Sequence, residues 1–264
     1  MSPLSDANPT GRFSGLAEVY AKCRPDYPAE AVDFILARCG LAPGARLVDV
    51  GSGTGISARL FARRGLEVIG VEPNADMRRQ AAAEPLPPGV PRPSYRDGRG
   101  EATGLPDAFV DAVLAAQAFH WFEPETALRE AHRILKPGGW VVLLWNERDN
   151  ADAFTAAYGA VVRSAPEAAR VEGPRGRAGE PLLSSPLFEE ARRDLFRHRQ
   201  EVDLQGLLGR AFSASHAPRE PDRAEQFAAD LQAVYHRFQR DGQVVICYET
   251  AVYTGRRSGG VAVG

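Results

Sequence analysis

Cysteine is scarce in this chain of 264 residues, with only Cys23, Cys39 and Cys247. An odd number with no Cys-x-x-Cys pair argues against a disulfide framework and against a zinc site, so no metal is expected. Lysine is nearly absent, confined to Lys22 and Lys136. The other basic residues are arginines, which reads as a coding bias of the source rather than a binding signal. The net charge of −2 lacks the basic excess of a nucleic-acid-binding domain, so no nucleic-acid partner is expected. Long apolar runs are missing too. The longest, "WVVLLW" at 140–145, is far short of the roughly 20 residues of a membrane span, and no membrane partner is expected. The opening "MSPLSDANPT" has neither a basic start nor an apolar centre and does not read as a signal peptide. With the cysteine usage, this predicts a reducing, cytoplasmic setting. Nothing in the composition speaks to the oligomeric state.

The chain is 44% hydrophobic, enough for one large domain carrying an insertion. Residues 16–40 read as two short helices split by "RPDYP", the second stopped by Gly40. From 45 to 147 short apolar runs alternate with helical patterns. The strands are "ARLVDV", "LEVIGVE", part of "AFVDAVLAAQ" and "WVVLLWNE". Between them lie helices in "GISARLFARRG", "ADMRRQAAAE" and "PETALREAHRILKPGG". Such alternation predicts βαβ units and a parallel sheet covered on both faces. Residues 148–242 change character. Helical patterns at 154–165, 205–212 and 225–240 flank the loop "EGPRGRAGEP" and one strand, "FRHRQEVDL". The expected organisation is a leading segment at 1–40, an α/β core at 41–147, a helical cap at 148–242, a closing strand at 243–257 and a frayed tail at 258–264.

The core's first strand runs into "VDVGSGTG". Gly51, Gly53 and Gly55 leave main chain bare where a ligand lying across the carboxyl ends of a parallel sheet would touch first. One glycine suffices for a turn; three point to a ligand. A dinucleotide loop is GxGxxG, with its third glycine packing helix on strand. Here the pattern is GxGxG, and Ile56 follows. Asp49 precedes the loop. A carboxylate repels a pyrophosphate and attracts an ammonium, so the loop favours a cationic ligand without phosphate. Glu72 ends the second strand, where an acid accepts both ribose hydroxyls. That feature is shared with NAD enzymes and does not discriminate.

"VDVGSGTG", "VIGVEPNADM", "GLPDAFVDAVLAAQAFHWF" and "REAHRILKPGGWVVLLWNE" together resemble the class I S-adenosylmethionine-dependent methyltransferases. The likeness is greatest to the small-molecule group of the ubiquinone-biosynthesis and trans-aconitate methyltransferases. "VYAKCRPDYP" and "YETAVYTGRR" extend the resemblance over most of the chain. It implies a Rossmann-like, doubly wound sheet of seven mostly parallel strands with an antiparallel last strand, and a helical cap. It also implies S-adenosylmethionine as cofactor and S-adenosylhomocysteine as product. Asp49 and the loop at Gly51, Gly53 and Gly55 would hold the methionine moiety, Glu72 the ribose, and Met77 the adenine. Where the family has an acid followed by alanine against the adenine edge, "DGRGEATGLP" shows Arg99-Gly100 and then Glu101. Arginine accepts no hydrogen bond, which assigns the contact to Glu101 or to main chain at Gly100. Gln117 would lie beside the methionine moiety. Tyr20, Arg24 and Tyr27 fall in a segment that folds over the cofactor in such enzymes, with Arg24 near its carboxylate and Tyr27 towards the acceptor.

A sulfonium methyl is already activated, so the protein chiefly aligns the nucleophile and, where needed, removes a proton. A carboxylate acceptor needs no base; a hydroxyl or carbon acid often does. His120, in "QAFHWF", is the candidate base, with a structural histidine as the competing reading. His216 is a weaker candidate. Trp121 and Trp145 are candidate walls of the acceptor pocket, with Phe119 and Phe122 nearby. The expected reaction is methylation of a small molecule, at a carboxylate or hydroxyl oxygen ahead of carbon. The competing classes are a nucleic-acid methyltransferase, an NAD-dependent oxidoreductase and a non-catalytic cofactor-binding module. The first lacks an Asn/Asp-Pro-Pro-Tyr/Phe motif where "QAFHWF" stands.

Overall fold

The computed structural model describes residues 24–166, 168, 177–214 and 216–259. The helix expected before residue 24, with Tyr20 and Cys23, lies outside them, as do residues 172–176 of the loop at 172–181 and the end of the tail.

The chain runs α1 (Ala29–Cys39), β1 (Arg46–Val50), α2 (Ile56–Ala62), β2 (Glu67–Val71), α3 (Ala75–Ala83), β3 (Ser94–Arg96) and β4 (Val110–Ala116). A 3₁₀ turn at Phe119–Trp121 leads into α4 (Pro124–Ile134) and β5 (Leu135–Arg148). Then follow α5 (Ala153–Arg163), α6 (Glu180–Leu183), β6 (Phe188–Val202), α7 (Leu204–Phe212), α8 (Pro221–Phe238) and β7 (Val244–Arg257). Local chemistry sets several boundaries. Gly40 ends α1 in the left-handed region, at φ 62°. The Asn74 side chain accepts from the Asp76 and Met77 amides and starts α3.

The seven strands form one sheet in the order β3-β2-β1-β4-β5-β7-β6. β1 through β5 pair in parallel, and β7 runs antiparallel to both β5 and β6. This is the parallel sheet of βαβ units that the alternation predicted, and the doubly wound, Rossmann-like sheet with an antiparallel last strand that the resemblance implied. Strand order reverses between β1 and β4, so a crevice opens beyond their carboxyl ends.

Alternation along β5 shows how both faces are buried. Val141, Leu143 and Trp145 face α4 with Ala127, Leu128, Ala131 and Ile134. Val142 and Leu144 face α1 and α2, where Ile35 and Phe61 wait. Each such side chain contributes about 1.5–3 kcal/mol by burial. A third core joins the cap to the far ends of β6 and β7 through Phe154, Tyr158, Leu207, Leu231 and Ile246.

Two elements differ from expectation. β6 starts at Phe188, well before the expected Phe196, because its first half pairs along β7 up to Arg257. "KPGG" does not separate helix from strand as a free loop. Val110 pairs with Leu135 and Ala112 with Trp140, so residues 136–139 bulge within β5. Lys136 pins that bulge to Asp111 at 2.7 Å.

Candidate functional site

The crevice at the switch point holds a cavity of about 620 Å³. One wall is the turn after β1. Its glycines have left-handed φ values of 69°, 53° and 75° at Gly51, Gly53 and Gly55. Their roles divide. A Cβ on Gly51 would sit 2.6 Å from Ala118 Cβ, so Gly51 lets the turns after β1 and β4 approach. A Cβ on Gly53 would meet no protein atom within 4 Å; it would project into the cavity. Gly55 makes room for the Tyr95 hydroxyl from β3 and is not on the cavity wall. The expectation that all three glycines face the ligand is therefore corrected: Gly55 is a packing residue, because Tyr95 fills the space above it.

Asp49 lies fully buried beneath this turn, in the middle of the sheet between Gly70 and Leu114. Ser57 Oγ donates to its Oδ2 at 2.6 Å. Its Oδ1 has no hydrogen-bond partner among the described residues, and neither have the buried hydroxyls of Ser52 and Thr54. Ser52 and Thr54 line the cavity with Ser57. Burial pushes the Asp49 carboxyl up to about 7, the Glu72 charge adds to this, and the Ser57 hydrogen bond opposes it. Orphaned acceptors and hydroxyls under a bare turn suit a ligand bearing an ammonium, or a water that carries the contact.

Glu72 stands at the next strand end. Its Oε2 accepts the Gly53 amide at 3.0 Å and its Oε1 the Asn74 amide at 2.8 Å. Both oxygens are thereby oriented, and each retains a lone pair for a vicinal diol. Burial raises its pKa against those two amides. Pro73 and Met77 continue the wall. Beyond them Gly100, Glu101 and Ala102 line the cavity, and Glu101 Oε1 accepts the Glu123 amide at 2.8 Å. Glu101 followed by Ala102 is itself an acid–alanine pair on the wall, so Arg99 and Gly100 displace nothing there. A Cβ on Gly100 would meet Phe122 at 2.6 Å. Glu130 holds this stretch from α4, accepting the Thr103 amide at 2.8 Å.

The opposite wall comes from the end of β4. Gln117 turns the chain at φ 57°, its amide donating to Leu144 O at 2.8 Å. Ala118, Trp121 and Phe122 follow on the wall. Arg24, Pro25 and Tyr27 close the crevice from the leading segment. Arg24 Nη2 donates to Ser213 O at 3.1 Å, tying that segment to the cap.

Besides Gly55, three expected residues are absent from the cavity wall: Asp49, fully buried beneath the turn, Trp145 and His120. Trp145 is 1% exposed and packs edge-on against Tyr253, its ring 5.6 Å away. The expectation that it lines the acceptor pocket is corrected, because its place in the β5 alternation turns it into the core under α4. His120 is buried behind Trp121, with ring centroids 5.0 Å apart. Its Nδ1 accepts a long hydrogen bond, 3.5 Å, from Trp145 Nε1. Sequence reasoning missed Arg210 of α7, buried at 8% exposure and on the cavity wall. It shares a helix face with Leu207 and Ala211, both buried. A charged residue on the buried face of an amphipathic helix was the available signal.

Among the described residues no group of three or more His, Cys, Asp or Glu side chains could hold a metal ion. Nor, among them, is any helix long and apolar enough to cross a membrane.

The switch-point crevice, the bare turn above a buried carboxylate and the acid at the end of β2 define an α/β protein that binds a phosphate-free nucleoside. Comparison with known proteins narrows this class. Residues 48–143 match the family described as methyltransferase domain. An uncharacterized methyltransferase of Mycobacterium tuberculosis is 33% identical over 234 residues, covering 84% of this chain and 87% of that protein. A ubiquinone biosynthesis O-methyltransferase of Paracidovorax citrulli is 35% identical over 122 residues, 45% of this chain and 51% of its own. A structure from Anaeromyxobacter dehalogenans, described as a candidate type II methyltransferase, shares the fold with a TM-score of 0.61 and 24% identity, covering 88% of this chain and 97% of that one. The chain belongs to the S-adenosylmethionine-dependent methyltransferases. That sets the oxidoreductase reading aside.

Proposed function

We propose that this enzyme methylates a small molecule at oxygen, and that a carboxylate is the acceptor. The chemistry that S-adenosylmethionine supplies is an activated methyl on a sulfonium, accepted in line by a nucleophile as the positive charge is lost. The residues present fit that cofactor. Asp49, through Oδ1, and the Gly51–Gly53 turn would hold the methionine end. Glu72 would take the ribose hydroxyls, and Met77, Gly100 and Glu101 the adenine. Gln117 main chain and Arg24 would border the methionine moiety.

One observation carries the choice of acceptor. Among the described residues the cavity wall bears no histidine or lysine, and its two carboxylates are held by backbone amides. A hydroxyl or a carbon acid must lose a proton to something; a carboxylate is already an anion and needs no base. The protein's work is then to hold the carboxylate oxygen in line and to exclude water, with Trp121, Phe122 and Tyr27 as walls. His120, expected as the base, supports Trp121 from behind in this reading. Incubation with methyl-labelled S-adenosylmethionine and a panel of carboxylic acids, phenols and amines tests the proposal. Volatile, base-labile methyl esters are expected. Label appearing only in base-stable ethers or carbon-methylated products would overturn it.

A further inference from the structure

We infer that Arg210 of the cap is the counter-charge for an anionic group on the acceptor, and so determines which molecules are methylated. This rests on the reading that the cavity binds S-adenosylmethionine beside a small acceptor.

The cavity wall carries charges of both signs. Its carboxylates, Glu72 and Glu101, sit at the β2 and β3 side, with Arg99 two residues before Glu101. Arg24, from the leading segment, and Arg210, from the cap, line it as well. Between 148 and 242, Arg210 is the one described residue that reaches the wall, so the cap's contribution there is a single buried cation. Its neighbourhood is positive as well. The fully buried Tyr158 in the cap core feels the charges of Arg210, Arg148 and Arg24, and the Arg148 guanidinium lies 5.8 Å from its ring centroid. The Tyr158 hydroxyl has no hydrogen-bond partner among the described residues.

A guanidinium carries five donors in a planar fork that matches a carboxylate edge. Several can serve a ligand whatever else the side chain touches. In a crevice shielded from water the attraction to an anion is much stronger than at a surface. Arg24 lies on the strip of wall shared with Pro25 and Tyr27, its Nη2 already given to Ser213 O. It is the group the cofactor's own carboxylate would meet. Arg210 stands on a separate element, α7 of the cap, and is assigned to the second ligand, while Arg99 lies two residues before Glu101. A methyl ester has lost the charge and with it most of the grip, so the same side chain that gathers the acid releases its ester.

Isothermal titration of the full-length protein saturated with S-adenosylhomocysteine decides this. The probes are benzoate, fumarate, citrate and trans-cinnamate, with their methyl esters. We expect at least one acid to bind, and its methyl ester to bind at least tenfold more weakly. Arg210→Met should weaken the acid at least tenfold and Arg210→Lys at least threefold, because an ammonium lacks the fork. Affinity for S-adenosylhomocysteine should stay within threefold in both, with circular dichroism confirming the fold. If Arg210→Met does not fold, Arg210→Lys alone decides by the same criterion. The inference is overturned if no acid binds, if esters bind as well as acids, or if acid affinity survives substitution. It is also overturned if the substitutions remove S-adenosylhomocysteine instead, which would assign Arg210 to the cofactor carboxylate. Failure of the unsubstituted protein to bind S-adenosylhomocysteine at all would instead sink the cofactor-site reading beneath it.

Discussion

Asp49→Asn should make the cofactor-free protein more stable and a poorer enzyme at the same time. In the native state burial holds the Asp49 carboxyl at about 7, against 3.8 when exposed. Because the folded value is the higher one, the fold prefers the protonated form. Asp49's contribution to stability is complete below about 3.8, declines as pH rises, and is lost above 7. The full upward displacement corresponds to about 4 kcal/mol, a ceiling on what removing the charge recovers at pH 8. Asparagine keeps the shape but adds an amide that needs an acceptor. Ser57 Oγ, now donating to Oδ2, can turn to accept one proton. The other is left wanting, at about 1–3 kcal/mol. A net gain of up to about 1–3 kcal/mol remains, equivalent to a melting point higher by about 2–12 °C in a chain of this size. At pH 5 the native carboxyl is already protonated, and the advantage should vanish or reverse. Affinity for S-adenosylhomocysteine should fall at least tenfold at pH 8, since the amide no longer attracts an ammonium. Differential scanning fluorimetry at pH 5 and pH 8, with titration calorimetry at pH 8, reads all three. A variant no more stable than the parent at pH 8, or one that binds the cofactor product normally, would refute the reasoning.

The same carboxyl should give cofactor binding a pH dependence. An ammonium selects the ionised form, so affinity for S-adenosylhomocysteine should rise by up to tenfold per pH unit towards 7 and level off above it. Calorimetry at pH 6 in buffers of different ionisation enthalpy should show proton release, absent in Asp49→Asn. Gly53→Ala should lower that affinity at least tenfold with about 1–2 kcal/mol lost from the fold, for its Cβ meets only the cavity while φ stays at 53°. Gly51→Ala should instead lose about 1–3 kcal/mol or more of stability on top of that strain, its Cβ being 2.6 Å from Ala118 Cβ; thermal melts and titrations on the pair separate the two roles. His120→Gln, whose amide oxygen can still receive the Trp145 N–H, should leave turnover within about threefold and the pH profile unchanged. A loss of 10²-fold or more would reinstate it as a general base.

Much of the fold was legible because it rests on local periodicity. The strand–helix alternation from Arg46 onwards, the Gly40 stop and the glycine turn after β1 are all set by neighbours in sequence. β3 was not, since "SYR" is three residues among prolines and becomes a strand only by pairing with Ile69–Val71. Its Tyr95 then claims the space over Gly55, which no pattern around Gly55 announces. The side chains that decide the site follow the same division. Gly53 and Glu72 could be read because each lies just beyond a strand end in a parallel sheet, where topology alone brings them to the crevice, with Asp49 of β1 buried beneath them. The aromatic character of Trp145 suggests a pocket wall, but its parity along β5 does not. Two residues beyond Leu143 on one strand, it must share the face of Leu143, and α4 covers that face. Arg210 was passed over for the converse reason, as one arginine among many. Its position, three after Leu207 and one before Ala211, already turned it inward. A chain that uses arginine for nearly all its cations hides a functional one in composition but not in phase. Which face of its element an arginine occupies separates the buried cation of α7 from the exposed arginines of β6, such as Arg192, whose guanidinium is answered by Asp194 on the same strand.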